Sequence, residues 1–241
     1  GVVLVHNRAG ANMAGGVAST LLDAAGRGTT IAGELGLFEI DEFWLDRVVP
    51  ELAPRAMALS NLFRDQLDRY GELDTIADRW ASMVAALPAD ARLALNADDP
   101  LIADLGRERA GVTYFGVEDR SMASAEMQHA SDSKHCRNCG EAYVYDAVYL
   151  GHLGLYRCPG CGRERPTPAV AAERVTLHGT RSASFTLVTP GGSIDVALPL
   201  PGLYNVYNAL GAATLCLALG MTLGQVADGL EHVAAAFGRA E

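Results

Sequence analysis

The 241-residue sequence predicts an α/β fold in which a mainly parallel β-sheet is flanked by helices. Short apolar runs repeatedly end in a polar loop that leads into an amphipathic segment, which is the pattern of consecutive βαβ units. An insertion over residues 131–166, which holds four cysteines, interrupts this pattern. Segments with alternating polarity follow the insertion and predict an additional small antiparallel sheet.

The composition limits the classes of protein to which the chain can belong. Hydrophobic residues make up 49% of the sequence, which suits one large domain or one domain with an insertion. The formal net charge of −10 argues against an extended nucleic-acid-binding surface. No apolar run reaches membrane-spanning length and no signal peptide opens the chain, so we expect a soluble, intracellular protein. Because the first residue is not methionine, we also expect a segment of a longer polypeptide.

The first predicted unit begins with the β-branched run Val2–Val5, which suits a buried strand. The polar, glycine-containing loop His6–Asn12 follows this strand. We then expect a helix around Val17–Ala25 with its apolar face turned inward.

The second predicted strand ends in acidic residues. In Gly36–Glu42, apolar residues alternate with Glu39 and Asp41. The carboxylates of Glu39, Asp41 and Glu42 would repel one another unless a cation, an arginine or water lay between them. A solvated acidic turn is the alternative interpretation.

The most polar stretch follows a third predicted strand, Ala56–Leu59. Asn61–Gly71 carries charged and amide side chains, and an amphipathic helix is predicted from Leu73 onward. Ligands of open α/β sheets bind at the carboxyl ends of the strands, so this stretch is a candidate binding loop. Alternatively, Asp65 or Asp68 only caps the helix.

Two later strands end in the same way. Leu93–Leu95 is followed by the amide, acids and proline of Asn96–Pro100, and Val112–Phe115 is followed by Gly116. Because the carboxyl ends of parallel strands meet at one edge of a sheet, these loops extend the candidate binding rim.

The insertion has the cysteine spacing of a structural zinc site. Cys136 and Cys139 form one C-x2-C pair, Cys158 and Cys161 form the other, and eighteen residues separate the pairs. Four thiolates complete a tetrahedral zinc site and leave no open position for catalysis, so we expect a structural metal. The fifth cysteine, Cys216, lies in an apolar stretch and is interpreted as a buried small hydrophobe.

Three segments with alternating polarity follow the insertion and predict an antiparallel set of strands. These segments are Val175–Leu177, Ala183–Val188 and Ser193–Leu198. A helix is predicted over Ala209–Leu219, and Asn205 and Asn208 face the same way at its start. Their amides can both donate and accept, as recognition of an adenine edge requires, although helix capping is the alternative role. Thr222–Gln225 predicts a capping box for a last helix that runs to about Ala236.

Together these segments resemble the central, ATP-binding domain of the Mur ligase superfamily. The matching segments occur in the family's order and span nearly the whole chain: Gly10–Asn12, Phe38–Glu42, Asn61–Tyr70, Asn96–Asp99, Gly202–Asn208 and Phe237–Arg239. The four-cysteine insertion is typical of one branch of the superfamily, the ligase subunits of lipid II isoglutaminyl synthases.

The resemblance implies roles for individual residues. Glu39 would hold a magnesium ion that is bound to the ATP phosphates. Gln66 stands where most family members have a magnesium-binding histidine, and its amide oxygen can still ligate magnesium. The resemblance further implies that Asn205 and Asn208 contact adenine and that Arg239 reaches toward the phosphates.

Asn12 would lie on the substrate side. The family's phosphate-binding loop and C-terminal domain are missing from this chain, so we expect weak or no ATP turnover by this segment alone. The lysine that many amino-acid-adding members carry a little downstream of Asn61 is also absent, which weakens the expectation of the family's second metal site.

The implied activity is that of an ATP-dependent carbon–nitrogen ligase in peptidoglycan biosynthesis, and hence in the maintenance of cell shape. Magnesium-ATP would phosphorylate the α-carboxylate of D-glutamate in the lipid II stem peptide, and ammonia would displace phosphate to give D-isoglutamine. A glutaminase subunit, GatD, would form a heterodimer with the ligase and supply the ammonia. The complex would work in the cytoplasm, at the inner face of the membrane.

Two other functions remain open. The chain is also compatible with an amino-acid-adding Mur ligase or a relative of folylpolyglutamate synthetase, either of which needs a pocket for the incoming amino acid. A protein of another class, a non-catalytic zinc-ribbon module that binds protein or nucleic acid, would not bind an adenine nucleotide. The acidic charge and the polar strand ends argue against this module.

Overall fold

The computed structural model describes residues 2–8, 10–28, 30–63, 72–124 and 133–234, and this description excludes the side chains of residues 72–74. The chain divides into two units. One contains Gly1–Pro54 and Asp74–Leu87, and the other contains Arg55–Leu73 and Pro88–Glu241. Within the described residues, no helix is both long enough and apolar enough to cross a bilayer.

The first unit combines a two-stranded parallel sheet with three helices in its described residues. These elements are β1 (Leu4–His6), α1 (Ala14–Ala25), β2 (Leu35–Leu37), α2 (Leu45–Leu52) and α3 (Glu72–Ala86). An ion pair between Asp46 and Arg79, 2.7 Å apart, joins α2 to α3. The apolar face predicted for α3 is confirmed, because Trp80, Met83 and Val84 are buried.

Three expectations for the first unit are wrong. The run Val2–Val5 is not a buried strand, because β1 begins at Leu4 and only Val5 of the run is buried, while Val2 and Val3 are more than half exposed. Helix α1 forms as predicted, but Val17 is its one buried residue and Leu22 is 70% exposed, so its apolar face is not turned inward. The strand expected within Gly36–Glu42 ends at Leu37. The reason is that β1 pairs with β2 only as far as His6, which lies opposite Leu37.

The second unit contains eight strands and three helices among its described residues. Its strands are β3 (Ala56–Leu59), β4 (Arg92–Asn96), β5 (Val112–Val117), β6 (Val144–Leu150), β7 (Leu153–Arg157), β8 (Val170–Leu177), β9 (Ala183–Thr189) and β10 (Gly192–Leu198). Its helices are α4 (Pro100–Asp104), α5 (Leu203–Ala218) and α6 (Leu223–Glu231). A single turn of 3₁₀ helix also lies at Arg120–Met122.

Six of these strands form one mixed sheet in the order β10-β9-β8-β5-β4-β3. Strands β3, β4, β5 and β8 are parallel, while β9 and β10 continue the sheet in antiparallel pairs. Strands β6 and β7 form a separate two-stranded antiparallel sheet inside the insertion. The predicted α/β class, with a mainly parallel sheet flanked by helices and a small antiparallel sheet, is confirmed, although the small sheet is β6–β7 of the insertion. The three segments after the insertion pair antiparallel as expected, but as β8, β9 and β10 they continue the main sheet instead of forming a separate one.

The two last helices differ from prediction in their bounds. Helix α5 begins at Leu203 rather than Ala209, and α6 ends at Glu231. The predicted end of α6 near Ala236 lies outside the described residues, but residues 232–234 are already non-helical. The capping box at Thr222 is confirmed. The Gln225 N–H donates to the Thr222 hydroxyl, and the Thr222 N–H donates to the Gln225 side-chain oxygen.

Candidate functional site

The loop that follows β4 is the most connected part of the second unit. Asp98, which is fully buried, accepts three hydrogen bonds from three different elements. The Arg165 Nε–H donates to Oδ1 (2.5 Å), and the Tyr207 hydroxyl (2.6 Å) and the Val117 N–H (2.9 Å) donate to Oδ2. Asp98 thus joins the end of the insertion, helix α5 and strand β5 to the loop at the carboxyl end of β4.

The electrostatics of this network follow from its burial. Desolvation raises the pKa of Asp98, and the charge of Arg165 together with the hydroxyl of Tyr207 and the Val117 N–H opposes that rise. Burial alone would lower the pKa of Arg165, but Asp98 and Glu118 raise it above its ordinary value. Burial also raises the pKa of Tyr207, which therefore remains a hydrogen-bond donor. The network is an anchor that fixes the insertion to the sheet.

The next carboxylate, Asp99, connects the ends of β3 and β4. Its Oδ1 accepts the Leu101 N–H (2.9 Å) and caps α4, whereas its Oδ2 accepts the Leu62 N–H (2.9 Å). The Nε2 atom of His152, in the turn between β6 and β7, lies 3.2 Å from the same Oδ2. The prediction that the Asn61 stretch and the Asn96–Asp99 loop meet at one rim is therefore confirmed for its described residues.

The four cysteines of the insertion come together. Their sulfur atoms all lie within 4.8 Å of one another, and thiolates bound tetrahedrally at about 2.3 Å from zinc are roughly 3.8 Å apart. Cys136 and Cys158 are buried, while Cys139 and Cys161 are exposed. A backbone hydrogen bond from Arg163 helps to lower the pKa of the Cys161 thiol to about 6, whereas the neighbouring thiols, Cys158 first, help to raise the pKa of the Cys139 thiol to about 12. This donor set fits a structural zinc ion.

A glycine closes each of the two cysteine knuckles. The Gly140 N–H donates to the Cys136 carbonyl (2.7 Å), and the Gly162 N–H donates to the Cys158 carbonyl (3.0 Å). Both glycines have positive φ angles, +80° and +73°, which residues with a Cβ rarely adopt. The glycine after each C-x2-C pair is therefore required by the turn that aims the thiolates inward.

In the first unit, the side chain of Asn7 organises the loops after β1 and β2. Its Nδ2 donates to the carbonyls of Glu39 (2.7 Å) and Ala11 (2.8 Å), and its Oδ1 accepts the Glu39 N–H (3.0 Å). The Asp41 N–H donates to the Asn12 carbonyl (2.9 Å), which adds a backbone link between the same loops. Asn12 and Glu39, two predicted site residues, are thus neighbours, although sequence reasoning missed the residue that joins them.

The acidic residues after β2 do not form a metal cluster by themselves. Asp41 uses its Oδ1 to accept the Phe43 N–H (3.0 Å). In the part of the chain that the structure describes, the four cysteines are the one group of three or more ligands that could hold a metal. Glu39 is exposed and its backbone is fixed, so its carboxylate fits a single ligand to a magnesium ion that is otherwise held by phosphate and water.

Asn205 and Asn208 lie in the first two turns of α5 and point the same way. The Asn208 Nδ2 donates to the Asn205 Oδ1 (3.4 Å), and the Asn205 Nδ2 donates to the Pro201 carbonyl (2.8 Å). The N-cap residue is Gly202, so the alternative in which an asparagine caps this helix is wrong. Asn208 is exposed and Asn205 is half-buried, which leaves polar amide edges available to a ligand.

Two predicted site residues, Gln66 and Arg239, lie outside the described residues, as do Asp65 and Asp68. Cys216 is half-buried rather than buried, and burial raises the pKa of its thiol, so it is a poor nucleophile.

Sequence reasoning also missed three residues that join the insertion and α5 to the strand ends: His152, Arg165 and Tyr207. The available signals were a histidine in a glycine-flanked turn and a tyrosine among the apolar positions of α5.

The fold and these loops define the class of protein. The chain belongs to the Mur ligase middle domain family, whose model matches residues 2–153. Among solved structures, a pseudomurein peptide ligase type C from Methanothermus fervidus aligns with a TM-score of 0.71 and 27% identity. That alignment covers 86% of this chain and 40% of the ligase chain.

The chain is also similar to one particular kind of Mur ligase. It is 30% identical over 99% of its length to MurT, the subunit of lipid II isoglutaminyl synthase (glutamine-hydrolyzing), from Staphylococcus aureus strain COL. The identity to the MurT subunit of Streptococcus pneumoniae strain R6 is again 30% over 99% of the chain. The chain spans about half the length of these curated relatives, 51% and 52% respectively.

Proposed function

We propose that this chain is the ATP-binding part of a ligase that amidates the α-carboxylate of D-glutamate in the lipid II stem peptide. The observation that carries the proposal is the extent of the similarity to the two MurT subunits. It covers 99% of the chain and therefore includes the whole four-cysteine insertion, whereas the match to the general middle domain ends at residue 153, before the second cysteine pair. Similarity across that insertion favours the amidating branch over the amino-acid-adding ligases.

The binding roles are divided among residues of several loops, of which Gln66 and Arg239 lie outside the described residues. Glu39, with Gln66, would hold the magnesium ion that accompanies ATP, and this ion would neutralise charge on the phosphates. Asn205 and Asn208 would bind the edge of the adenine through amide donors and acceptors. Arg239 would reach the phosphates. The fixed backbone of Glu39 supports this assignment, since a metal ligand must be held in place before the metal binds.

The reaction has two displacement steps. An oxygen of the D-glutamate α-carboxylate attacks the γ-phosphorus of ATP, the bond to the bridging oxygen breaks, and ADP leaves. Ammonia then attacks the carbonyl carbon of the acyl phosphate, phosphate leaves with the bonding electrons, and the nitrogen loses a proton to give the amide. Phosphorylation is required because an oxide ion is a very poor leaving group, whereas phosphate is a good one.

A second subunit would supply the ammonia from glutamine. None of the five cysteines suits a glutaminase nucleophile, because four are grouped as zinc ligands and Cys216 is half-buried with a raised pKa. Because the two MurT relatives are subunits of glutamine-hydrolyzing synthases, we propose a heterodimer with a glutaminase of the GatD kind. Because lipid II is membrane-bound, the complex would act at the inner face of the membrane.

Product analysis tests this function. The complete polypeptide and its glutaminase partner are incubated with lipid II, magnesium-ATP and glutamine that carries ¹⁵N in its side-chain amide. We expect one ¹⁵N atom in the stem peptide, located by fragmentation at the α-carboxyl of D-glutamate. Incorporation of a whole amino acid would instead support an amino-acid-adding ligase, and failure to bind ATP at all would support a non-catalytic module.

A further inference from the structure

Two arginines closely follow the second cysteine pair, and both bind carboxylates that lie outside the insertion. We propose that zinc binding at the four cysteines is coupled to helix α5 through these residues, Arg163 and Arg165. The coupling lies within the second unit and does not depend on the proposed function. It makes the zinc ion a regulator of a distant helix as well as a stabiliser of the insertion.

The backbone of Arg163 is tied to the metal-binding turn at both of its polar groups. Its N–H donates to the sulfur of Cys161, and its carbonyl accepts the Cys158 N–H at 2.6 Å. A zinc ion that fixes these two cysteines therefore also fixes the backbone of Arg163. The side chain of Arg163 donates to Oδ2 of Asp104, the last residue of α4, at 2.8 Å. The metal-binding turn is thereby held against the main domain.

Arg165 extends this connection to helix α5. Its Nε–H donates to Oδ1 of Asp98 at 2.5 Å, and its Nη1 donates to Oε1 of Glu118, also at 2.5 Å. The second oxygen of Asp98 accepts the hydroxyl of Tyr207, in α5, at 2.6 Å. Because Asp98 is fully buried, a displaced guanidinium would leave its charge without compensation. A shift of Arg165 must therefore disturb the carboxylate that α5 binds.

The cysteine turns depend on the metal more than the β6–β7 hairpin does. The hairpin contributes Ala147, Tyr149 and Leu153 to the large core cluster of the second unit. In contrast, the cluster around the cysteines has five buried members among the described residues, and two of them are zinc ligands. So few apolar contacts do not order the turns without the metal. Loss of zinc should release the turn that ends at Arg163 while the hairpin and the main sheet remain folded.

Thermodynamic linkage makes this coupling reciprocal. If zinc strengthens the contact between Asp98 and α5, then weakening that contact must weaken zinc binding by the same factor. Tyr207 is the informative position, because its hydroxyl lies on the α5 side of the network. A residue that only stabilised its own helix would not change the affinity for zinc.

The experiment uses the complete polypeptide and measures two quantities. The first is the Kd for zinc, determined by competition with a chelator. The second is amide hydrogen exchange with and without bound zinc. Val117 reports on the network, since its N–H donates to Asp98. Leu187, which is fully buried in β9, reports on the main sheet.

Three variants and two controls separate the steps of the connection. Arg163→Gln removes the ion pair with Asp104, Arg163→Lys keeps the charge, and Tyr207→Phe removes the hydroxyl from α5. The matched controls are Arg157→Gln and Tyr204→Phe, because these two side chains are exposed residues of β7 and α5.

On removal of zinc, we expect exchange at Val117 to become about 5- to 150-fold faster, the range of typical coupling between sites, while exchange at Leu187 changes little. Arg163→Gln and Tyr207→Phe should each raise the zinc Kd by about 2- to 30-fold. Arg163→Lys should recover part of the affinity, and both controls should match the wild type.

Any of three results would overturn the proposal. The first is unchanged exchange at Val117 after zinc removal. The second is equal acceleration at Val117 and Leu187, because zinc would then stabilise the whole unit without a particular route. The third is a wild-type zinc Kd in Tyr207→Phe, which would confine the effect to the insertion. If a variant fails to fold, the exchange comparison on the wild type decides the matter without it.

Discussion

Replacing Tyr207 with phenylalanine would remove a single hydroxyl from the buried network around Asp98. This hydroxyl donates to Oδ2 of Asp98 at 2.6 Å, and Tyr207 is 2% exposed. Water cannot replace the lost donor without a rearrangement of the core. The Val117 N–H and Arg165 would remain as the donors to a fully buried carboxylate.

The expected cost follows from the charge of the acceptor. A hydrogen bond to a charged group contributes about 1.5–3 kcal/mol, so Tyr207→Phe should lower the free energy of unfolding by about 2 kcal/mol. For a chain of this length, that loss corresponds to a fall in Tm of roughly 4–8 °C. The effect should shrink as the pH falls through the raised pKa of Asp98, since the hydroxyl favours the ionised carboxylate.

Urea and thermal unfolding measure this change, with Tyr204→Phe as the control. Tyr204 lies in the same helix and is 48% exposed, so the same substitution there should change stability by less than about 0.5 kcal/mol. Equal effects of the two substitutions would refute the reasoning. So would a loss at Tyr207 that stayed constant as the pH was lowered, because the cost would then not depend on the charge of Asp98.

Three further substitutions test other parts of the account. Cys139→Ser should lower bound zinc from about one ion per chain toward none, whereas Cys216→Ser should leave it unchanged, as metal analysis would detect. Although desolvation opposes it, hydrogen bonds lower the pKa of Asp119 below its ordinary 3.8. Asp119→Asn should therefore cost less than about 1 kcal/mol at neutral pH, with the cost vanishing as the pH falls through that lowered pKa. In the complete protein, Glu39→Gln should weaken magnesium-dependent ATP use at least about tenfold, whereas Glu51→Gln, on an exposed site of α2, should not.

One specific result would contradict each of these three expectations. Full zinc content in Cys139→Ser would remove that thiolate from the metal site. A stability difference between Asp119→Asn and wild type that grew toward low pH would reverse the sign assigned to Asp119. Wild-type magnesium dependence in Glu39→Gln would remove Glu39 from the nucleotide site.

Local sequence patterns were sufficient for the strands that form the binding rim. Ala56–Leu59 is a strand with the bounds that its apolar run predicts, and the loops that follow β3 and β4 do meet, through the Leu62 N–H and Asp99. The spacing of the cysteine pairs, each followed by glycine, was likewise sufficient to predict their convergence. In these cases the sequence signal lies within a few residues, namely an apolar run or a C-x2-C pair, although the hydrogen bond from Leu62 to Asp99 spans 37 positions.

Long-range contacts could not be predicted in the same way. Arg165 bonds to Asp98 across 67 positions, and no local pattern indicates which carboxylate a given arginine will meet. The early start of α5 has a similar cause, because burial of Val206 and Tyr207 stabilises a first turn whose tyrosines and asparagines are mediocre helix formers. The short β2 strand depends on where its partner β1 ends.

The central claim is that this chain serves an amidating ligase and not an amino-acid-adding one. The most direct measurement is lipid II-dependent phosphate release from ATP by the complete polypeptide, with the nitrogen donor varied. We predict turnover with ammonia, and with glutamine when the glutaminase partner is present, but none with a panel of amino acids. Turnover that required an amino acid, and that neither ammonia nor glutamine supported, would contradict the account.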